Sequence, residues 1–359
     1  MKTAKAAKIS PGQMFILLIL ARIMHTMVFH SADFSVGTFM LPTLVVTTLL
    51  EAALSLPALI LIDGGTDIIR ELSSGKKWLY ALLRTLYSLY FLYIATGTIK
   101  YIAEFMQDEF ARVISPVAVV LILALAATYC AHLGIEALAR AGTVVFWIFI
   151  ALFISMASVS QGTFHPENLT PITESDFPAI LDYAARDLSS SWWLPMLVAL
   201  GTHLNRSKDG ARKAAMGYLG FKLIMLEVLT ILIIIVLGKF SDILGYPLLA
   251  LGAYARTVFI RSFDAVNMFV WCMNAALVCG VYLFIATDGL KGRKRTIGEL
   301  SALIVTAVAG IVAFNLDLDF NGEVAMVLKT AGILLLGVIL PIVLLIGKEV
   351  FGCVKSRLQ

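Results

Sequence analysis

Ten apolar runs, each of a length that suits a bilayer, do most to limit the folds open to this chain. They lie near 10–30, 38–62, 78–103, 115–132, 141–160, 188–204, 212–238, 264–287, 299–316 and 328–351. A membrane-spanning helix takes about 20 mostly apolar residues, because hydrocarbon offers no partner to a backbone N–H or C=O and the segment must satisfy its own. Composition agrees: 60% of the 359 residues are hydrophobic and only 14% charged, where a soluble domain carries about a quarter charged. A large soluble domain is excluded. The expected fold class is all-α: a polytopic membrane protein built as a single integral membrane domain.

Lysine and arginine set the orientation. With a cytoplasmic N-terminus, 18 of the 28 basic residues fall in inside segments and 6 in outside ones, while Arg22, Arg84, Lys100 and Lys222 lie within or at the edge of spans. Both termini are therefore expected in the cytoplasm, which requires an even number of spans. The basic start, Lys2 to Lys8, imitates a signal peptide, but the following run passes through Arg22 and many spans come after it, so an uncleaved first span is expected.

The longest interruption is the outside segment 161–187, with Pro166, Pro171, Pro178 and the acids Glu167, Glu174, Asp176, Asp182 and Asp187. It divides the chain into repeat one, about 9–160, and repeat two, about 188–352. Five spans per half give the halves opposite orientations, the arrangement of inverted-repeat transporters. In such folds the first helix of each half is often broken at mid-membrane, with the ligand at the breaks. Here those helices carry Arg22-Ile23-Met24-His25-Thr26 and Ser189-Ser190-Ser191-Trp192-Trp193-Leu194-Pro195. Pro195 removes a backbone donor and is expected to kink or open its helix.

Polar residues collect at mid-depth. Arg22, Glu51, Glu227 and Asn274 fall near the middle of their spans, where an unpaired charge is costly. Arg22 is expected to pair with Glu51 or Glu227, either as a structural pin between helices or as part of ligand or proton handling. His25 is either pH-sensitive or hydrogen-bonded to a carbonyl; with no metal-ligand company, the structural reading is preferred. Tyr87, Tyr90 and Tyr93 make an aromatic stripe that reads mostly as packing, with Tyr93 and Thr96 deep enough to line a cavity. Arg84 and Lys222 sit nearer the cytoplasmic side and are read as snorkelling.

The remaining signals narrow the function class. Cys130, Cys272, Cys279 and Cys353 form no C-x-x-C pair and read as small buried hydrophobes. No Gly-rich phosphate loop, G-x-S-x-G or H-E-x-x-H is present, so neither an enzyme nor a cofactor nor a metal is expected. No basic stretch is interleaved with aromatics, so nucleic acid is not an expected partner.

Five passages carry a resemblance. Ile9-Ser10-Pro11-Gly12-Gln13, Lys100 to Phe105, Leu133-Gly134-Ile135-Glu136-Ala137-Leu138-Ala139-Arg140, Asn168-Leu169-Thr170-Pro171-Ile172, and Tyr246-Pro247-Leu248-Leu249 followed by Asp264 and Trp271 resemble, in order and spacing, the spore-germination permease family. These are the B subunits of nutrient germinant receptors. The resemblance implies a ten-helix fold like the amino acid/polyamine/organocation transporters, a place in the spore inner membrane or bacterial cytoplasmic membrane, and work beside an A subunit and a lipoprotein C subunit. It also implies a small nutrient ligand, typically an amino acid, whose binding triggers germination. The chain departs from the family pattern at Arg22 to Thr26, where a glycine-containing break is usual, at Trp192 to Pro195, where a glycine, aromatic, glutamate run is usual, and at Ser262.

The expected ligand site therefore comprises His25, Thr26, Tyr93, Thr96, Ser190, Ser191, Trp192 and Asn274, beside an intramembrane charge network of Arg22, Glu51 and Glu227. A carboxylate ligand is expected to meet backbone N–H groups freed at the helix breaks, with Trp192 and Tyr93 flanking its side chain. A germinant-sensing subunit is the leading reading. A proton-coupled secondary transporter of an amino acid or related solute is the alternative, since the two share a fold. A scaffold that binds nothing and holds the partner subunits together is a third.

Overall fold

The structure, a computed structural model, describes residues 8–27, 38–109, 114–159, 164–169, 177–205, 209–244, 246–254, 264–288, 290, 293–320 and 322–357. The described elements are helical: α1 (Pro11–Met27), α2 (Met40–Asp63), α3 (Ile68–Leu72), α4 (Lys77–Glu109), α5 (Pro116–Leu133), α6 (Ile135–Val159), α7 (Phe177–Leu188), α8 (Trp193–Leu200), α9 (Gly210–Leu237), α10 (Pro247–Tyr254), α11 (Asp264–Thr287), α12 (Arg293–Asn315), α13 (Glu323–Gly332) and α14 (Leu340–Arg357). A π-helical stretch, Ile333–Ile339, joins the last two into one rod.

Among the described residues, eight helices are long and apolar enough to cross a membrane: α2, α4, α5, α6, α9, α11, α12 and the α13–α14 rod. The protein is an integral membrane protein. The first expected span is the shorter α1, and the sixth, expected at 188–204, holds the short α8, separated from α7 by a non-helical Ser189–Trp192. The outside segment also ends earlier than expected, because Phe177–Leu188 is helical. Phe177, Ile180, Leu181, Ala184 and Leu188 repeat with helical spacing, a pattern masked in a hydropathy window by Asp182, Arg186 and Asp187.

Helix α1 is the centre of the bundle. Leu17, Leu18, Ile19, Leu20, Ala21, Ile23 and Met24 are all buried, so this helix is enclosed on every side along that stretch and packs against α6, α8, α9 and α11. Helices α4, α5, α11 and α12 form a second block beside it. The outer faces carry exposed Leu56, Leu82, Ile122, Trp147, Ile224, Ile304 and Val343, the surface a bilayer covers.

The passages that carried the family resemblance have structural causes. Ser10 and Gln13 form a capping box: Ser10 N–H donates to Gln13 Oε1 at 2.9 Å and Gln13 N–H to Ser10 Oγ at 3.2 Å, with Pro11 at the first helical position. Ile9 pairs in parallel with Leu204, donating to the His203 carbonyl at 2.9 Å and accepting from Asn205 at 2.8 Å. The start of α1 is thus tied to the segment after α8. Gly134, at φ +88°, turns the chain sharply between α5 and α6, a conformation open mainly to glycine. Phe105 packs its ring 4.9 Å from Tyr246 and 5.0 Å from Trp271, joining two of the passages in one aromatic cluster. Thr170, Pro171 and Ile172 lie outside the described residues, as does Ser262.

The π stretch holds α8 in place. Tyr87 donates its hydroxyl to the Leu336 carbonyl at 2.7 Å, and a Cβ added at Gly337 would stand 2.8 Å from Leu194 Cβ and 3.0 Å from Pro195 N. Only glycine lets the two backbones approach so closely. Gly337→Val is expected to destabilise the folded protein by about 1–3 kcal/mol through overpacking, read as a lower melting temperature in detergent, while Gly347→Val, where a Cβ meets open space, should leave it unchanged.

Candidate functional site

Four helices deliver charge to one buried point. On α1, Arg22, His25 and Thr26 share a face through their i, i+3, i+4 spacing. Helix α2 presents Thr43, Thr47, Glu51 and Ser55, four residues apart and all buried. Helix α9 contributes Lys222, and α7 ends in Asp187 just before the chain leaves the helix.

These side chains form a continuous network. Arg22 Nη2 donates to Asp187 Oδ1 at 2.5 Å. Asp187 Oδ2 lies 3.6 Å from Lys222 Nζ, and Lys222 Nζ is 2.8 Å from Glu51 Oε2. Glu51 Oε1 then accepts from the hydroxyl of Ser191, in the break itself. Arg22 is 6% exposed, Asp187 17%, and Glu51 and Lys222 0%. Two cations and two anions balance, as so much burial requires.

The expected pairing of Arg22 with Glu51 or Glu227 is corrected on both sides: Arg22 holds Asp187, and Glu51 holds Lys222. Glu227 is partly buried on α9 and makes no ion pair among the described residues. Lys222, read as snorkelling, stands in the middle of α9, where its stem cannot reach water. Arg84 is corrected too. Its Nη1 donates to Asp288 Oδ2 at 2.9 Å, so it is held by an ion pair within the protein.

The break is built from local hydrogen bonds. Helix α7 closes with Ser189, Ser190 and Ser191 N–H groups donating to Arg186, Asp187 and Leu188 carbonyls, and Leu194 N–H reaches back to Ser191. Pro195 therefore lies in the first turn of α8, where a missing N–H costs little; it starts the helix and does not kink it. Helix α1, by contrast, is continuous through Arg22 to Thr26, so no backbone N–H is freed there; residues 28–37 lie outside the described residues.

A cavity of about 290 Å³ opens onto the break. Of the expected ligand residues, His25, Thr26 and Ser190 line it together with Arg22, Asp187 and Ser189. Ser190 Oγ is 2.7 Å from His25 Nε2, and Thr26 donates back to the Arg22 carbonyl at 3.1 Å. Its apolar lining comes from Leu44, Leu226, Leu229, Ile233 and Leu248, and Lys329 lines it as well.

The other expected residues are elsewhere. Tyr93 and Trp192 line a separate space of about 20 Å³ with Phe320, room for about one water molecule. Tyr93 stacks on Phe320 at 5.2 Å, and the Trp192 indole donates to Tyr282 Oη at 2.7 Å. Ser191 is enclosed in the charge network. Thr96 and Asn274 are buried and line neither space; Asn274 Nδ2 donates to the Leu20 carbonyl at 3.1 Å. Among the described residues no three His, Cys, Asp or Glu side chains gather where a metal could be held.

Sequence reasoning missed Asp187, Lys222 and the apolar wall. The four-residue repeat Thr43, Thr47, Glu51, Ser55 was an available signal for a polar face on α2. Asp187 had none of that kind, since its segment reads as loop.

The far end of α8 is fastened by another cluster. His203 Nε2 lies 3.4 Å from Asp288 Oδ2, which also accepts from Arg84. Burial pushes the Asp288 carboxyl up, but the His203 hydrogen bond and the Arg84 charge outweigh it and hold the group below the usual aspartate range.

A family model described as spore germination protein, the spore permease family, matches residues 66–316. The chain belongs to this family. A search of curated proteins found no match. The spore permease match takes in Asp187, the break, Lys222 and Asp288 but begins after α1 and α2, so Arg22, His25 and Glu51 lie outside it. The family is of permease type.

Two outcomes test this geometry. Lys222→Met alone should lower stability by about 3–5 kcal/mol, because it leaves Glu51 buried and unpaired, and adding Glu51→Gln should recover most of the loss; thermal melts of both variants read it. Asp288 contributes its stabilisation fully above the ordinary aspartate value of about 4 and loses it as pH falls through its depressed value. Asp288→Asn should therefore cost about 2 kcal/mol at neutral pH and remove part of the fall in melting temperature on acidification.

Proposed function

We propose that this spore permease is the B-type membrane subunit of a nutrient germinant receptor. It senses a small nutrient, an amino acid or related solute, in the cavity at the helix break and passes the change to partner subunits. The observation that carries the reading is the cavity of about 290 Å³ meeting an interrupted helix in a chain of this family. An interrupted helix surrounded by buried charges has more than one arrangement within reach, and a ligand that binds one arrangement better shifts the population toward it.

Orientation supports the same reading. With basic residues biased to the inside, the end of the cavity lined by Tyr183, Arg186 and Glu323, which follow or precede outside segments, belongs to the outer side, where nutrient arrives. The protein then lies in the spore inner membrane with both termini in the cytoplasm, its ten spans arranged as five and five, and works beside an A subunit and a lipoprotein C subunit.

A second reading, a proton-coupled transporter, draws on the buried network of Arg22, Asp187, Lys222 and Glu51. The two separate in measurement. Spores whose only copy carries Ser190→Leu, which fills the cavity, should need at least about tenfold more nutrient to germinate, the factor that a loss of 1.4 kcal/mol in binding gives. Uptake of labelled amino acids by proteoliposomes of this chain alone should stay at background; flux driven by a pH gradient supports transport instead.

A further inference from the structure

The charges at the break are balanced in number but not in hydrogen bonds. A guanidinium carries five N–H donors in a fixed fork suited to a carboxylate. Arg22 uses Nη2 on Asp187, while its Nε and Nη1 are buried without a hydrogen-bond partner. Asp187 is divided between two cations: one oxygen is on Arg22, and the other, 3.6 Å from Lys222 Nζ, is too far for a hydrogen bond and also unpartnered. Asp187 holds neither cation in the bidentate geometry a carboxylate prefers. Arg22 and Asp187 both line the cavity, and so do the apolar Leu226, Leu229, Ile233 and Leu248.

We propose that the cavity takes a monocarboxylate with an apolar chain, and that the ligand carboxylate replaces Asp187 on Arg22 while Asp187 moves onto Lys222. The proposal rests on the reading of this cavity as the ligand site and names its ligand chemistry. An incoming anion meets the incompletely used fork of Arg22 in a cavity that Lys329 and Arg186 also line, with Glu323 and Asp187 as its acidic residues. A cationic ligand adds its charge beside Arg22 and Lys329. The apolar chain of the ligand lies against the α9 and α10 side chains, which gain by losing water.

The exchange has a structural consequence. Lys222 also holds Glu51, and Glu51 accepts from Ser191. Once Asp187 closes on Lys222, the ammonium is shared between two carboxylates and the hold of Glu51 on the break changes. Ligand binding is thereby coupled to the joint between α7 and α8, and recognition falls to the Arg22 side chain, whose helix is continuous.

Binding to the purified full-length chain in nanodiscs tests this, with isocaproate, isocaproamide and isoamylamine as matched probes, read by calorimetry. Isocaproate is expected to bind at least about tenfold tighter than the amide, and isoamylamine not to compete. Asp187→Asn, which releases Arg22, should tighten isocaproate binding by about tenfold; Arg22→Gln should weaken it by at least about thirtyfold, and Arg22→Lys by less. The unmodified protein decides the charge preference even where a variant fails to fold. Tighter binding of the amine, binding of none of the three probes, or loss of isocaproate binding in a folded Asp187→Asn protein overturns the proposal. Spores that germinate normally with Arg22→Gln, when that protein has lost carboxylate binding, would instead remove the germinant reading and leave the site standing.

Discussion

The structure depends on one buried chain of charge. Arg22, Asp187, Lys222 and Glu51 come from α1, α7, α9 and α2, and none of the four is in bulk water. Each alone would cost several kcal/mol at that depth. Together they are neutral, and the condition for neutrality is that all four helices be in place at once. This is why the helix interruption can sit inside the protein: Ser191, which has left regular helix, is anchored to Glu51.

The interruption is stabilised at both ends. On one side the serine turn closes α7 with its own carbonyls. On the other, α8 begins with its apolar residues fully enclosed, packed on the π stretch through Gly337 and tied at its far end to Ile9, with the Asp288, His203 and Arg84 cluster fastening the same end. The serine turn between them is buried as well, but it is held by polar contacts: Ser190 on His25 and Ser191 on Glu51.

Much of the architecture was legible from hydropathy alone, and the reasons are local. The long spans α2, α4, α5, α9 and α11 each start within two residues of the apolar run that announced them, because lipid-facing and buried positions are both apolar and the run simply ends where water begins. The starts of α6 and α12 were missed by six residues, since Glu136 and Arg140 in one case, and Arg293 to Arg295 in the other, extend helices beyond the hydrocarbon. Helix α7 was read as loop because its charged residues lower any windowed average. The site was legible in part. His25, Thr26, Ser190 and Arg22 do meet at one cavity, whereas Tyr93 and Trp192 are turned toward Phe320 and Tyr282, and rotation about a helix axis cannot be read from depth.

The sequence by itself determined that this chain spans a membrane, that its spans are helices, and that charge is carried to mid-depth and must be matched there. Those conclusions follow from the cost of leaving a backbone polar group or a side-chain charge in hydrocarbon, which depends on composition along the chain. The partners were decided only by tertiary structure. Depth selected Glu51 and Glu227 for Arg22, but Asp187, 165 residues away in sequence, reaches it because α7 packs against α2 and ends at the Arg22 side chain. Pairing depends on which faces of two helices meet, and that is set by how the whole bundle packs.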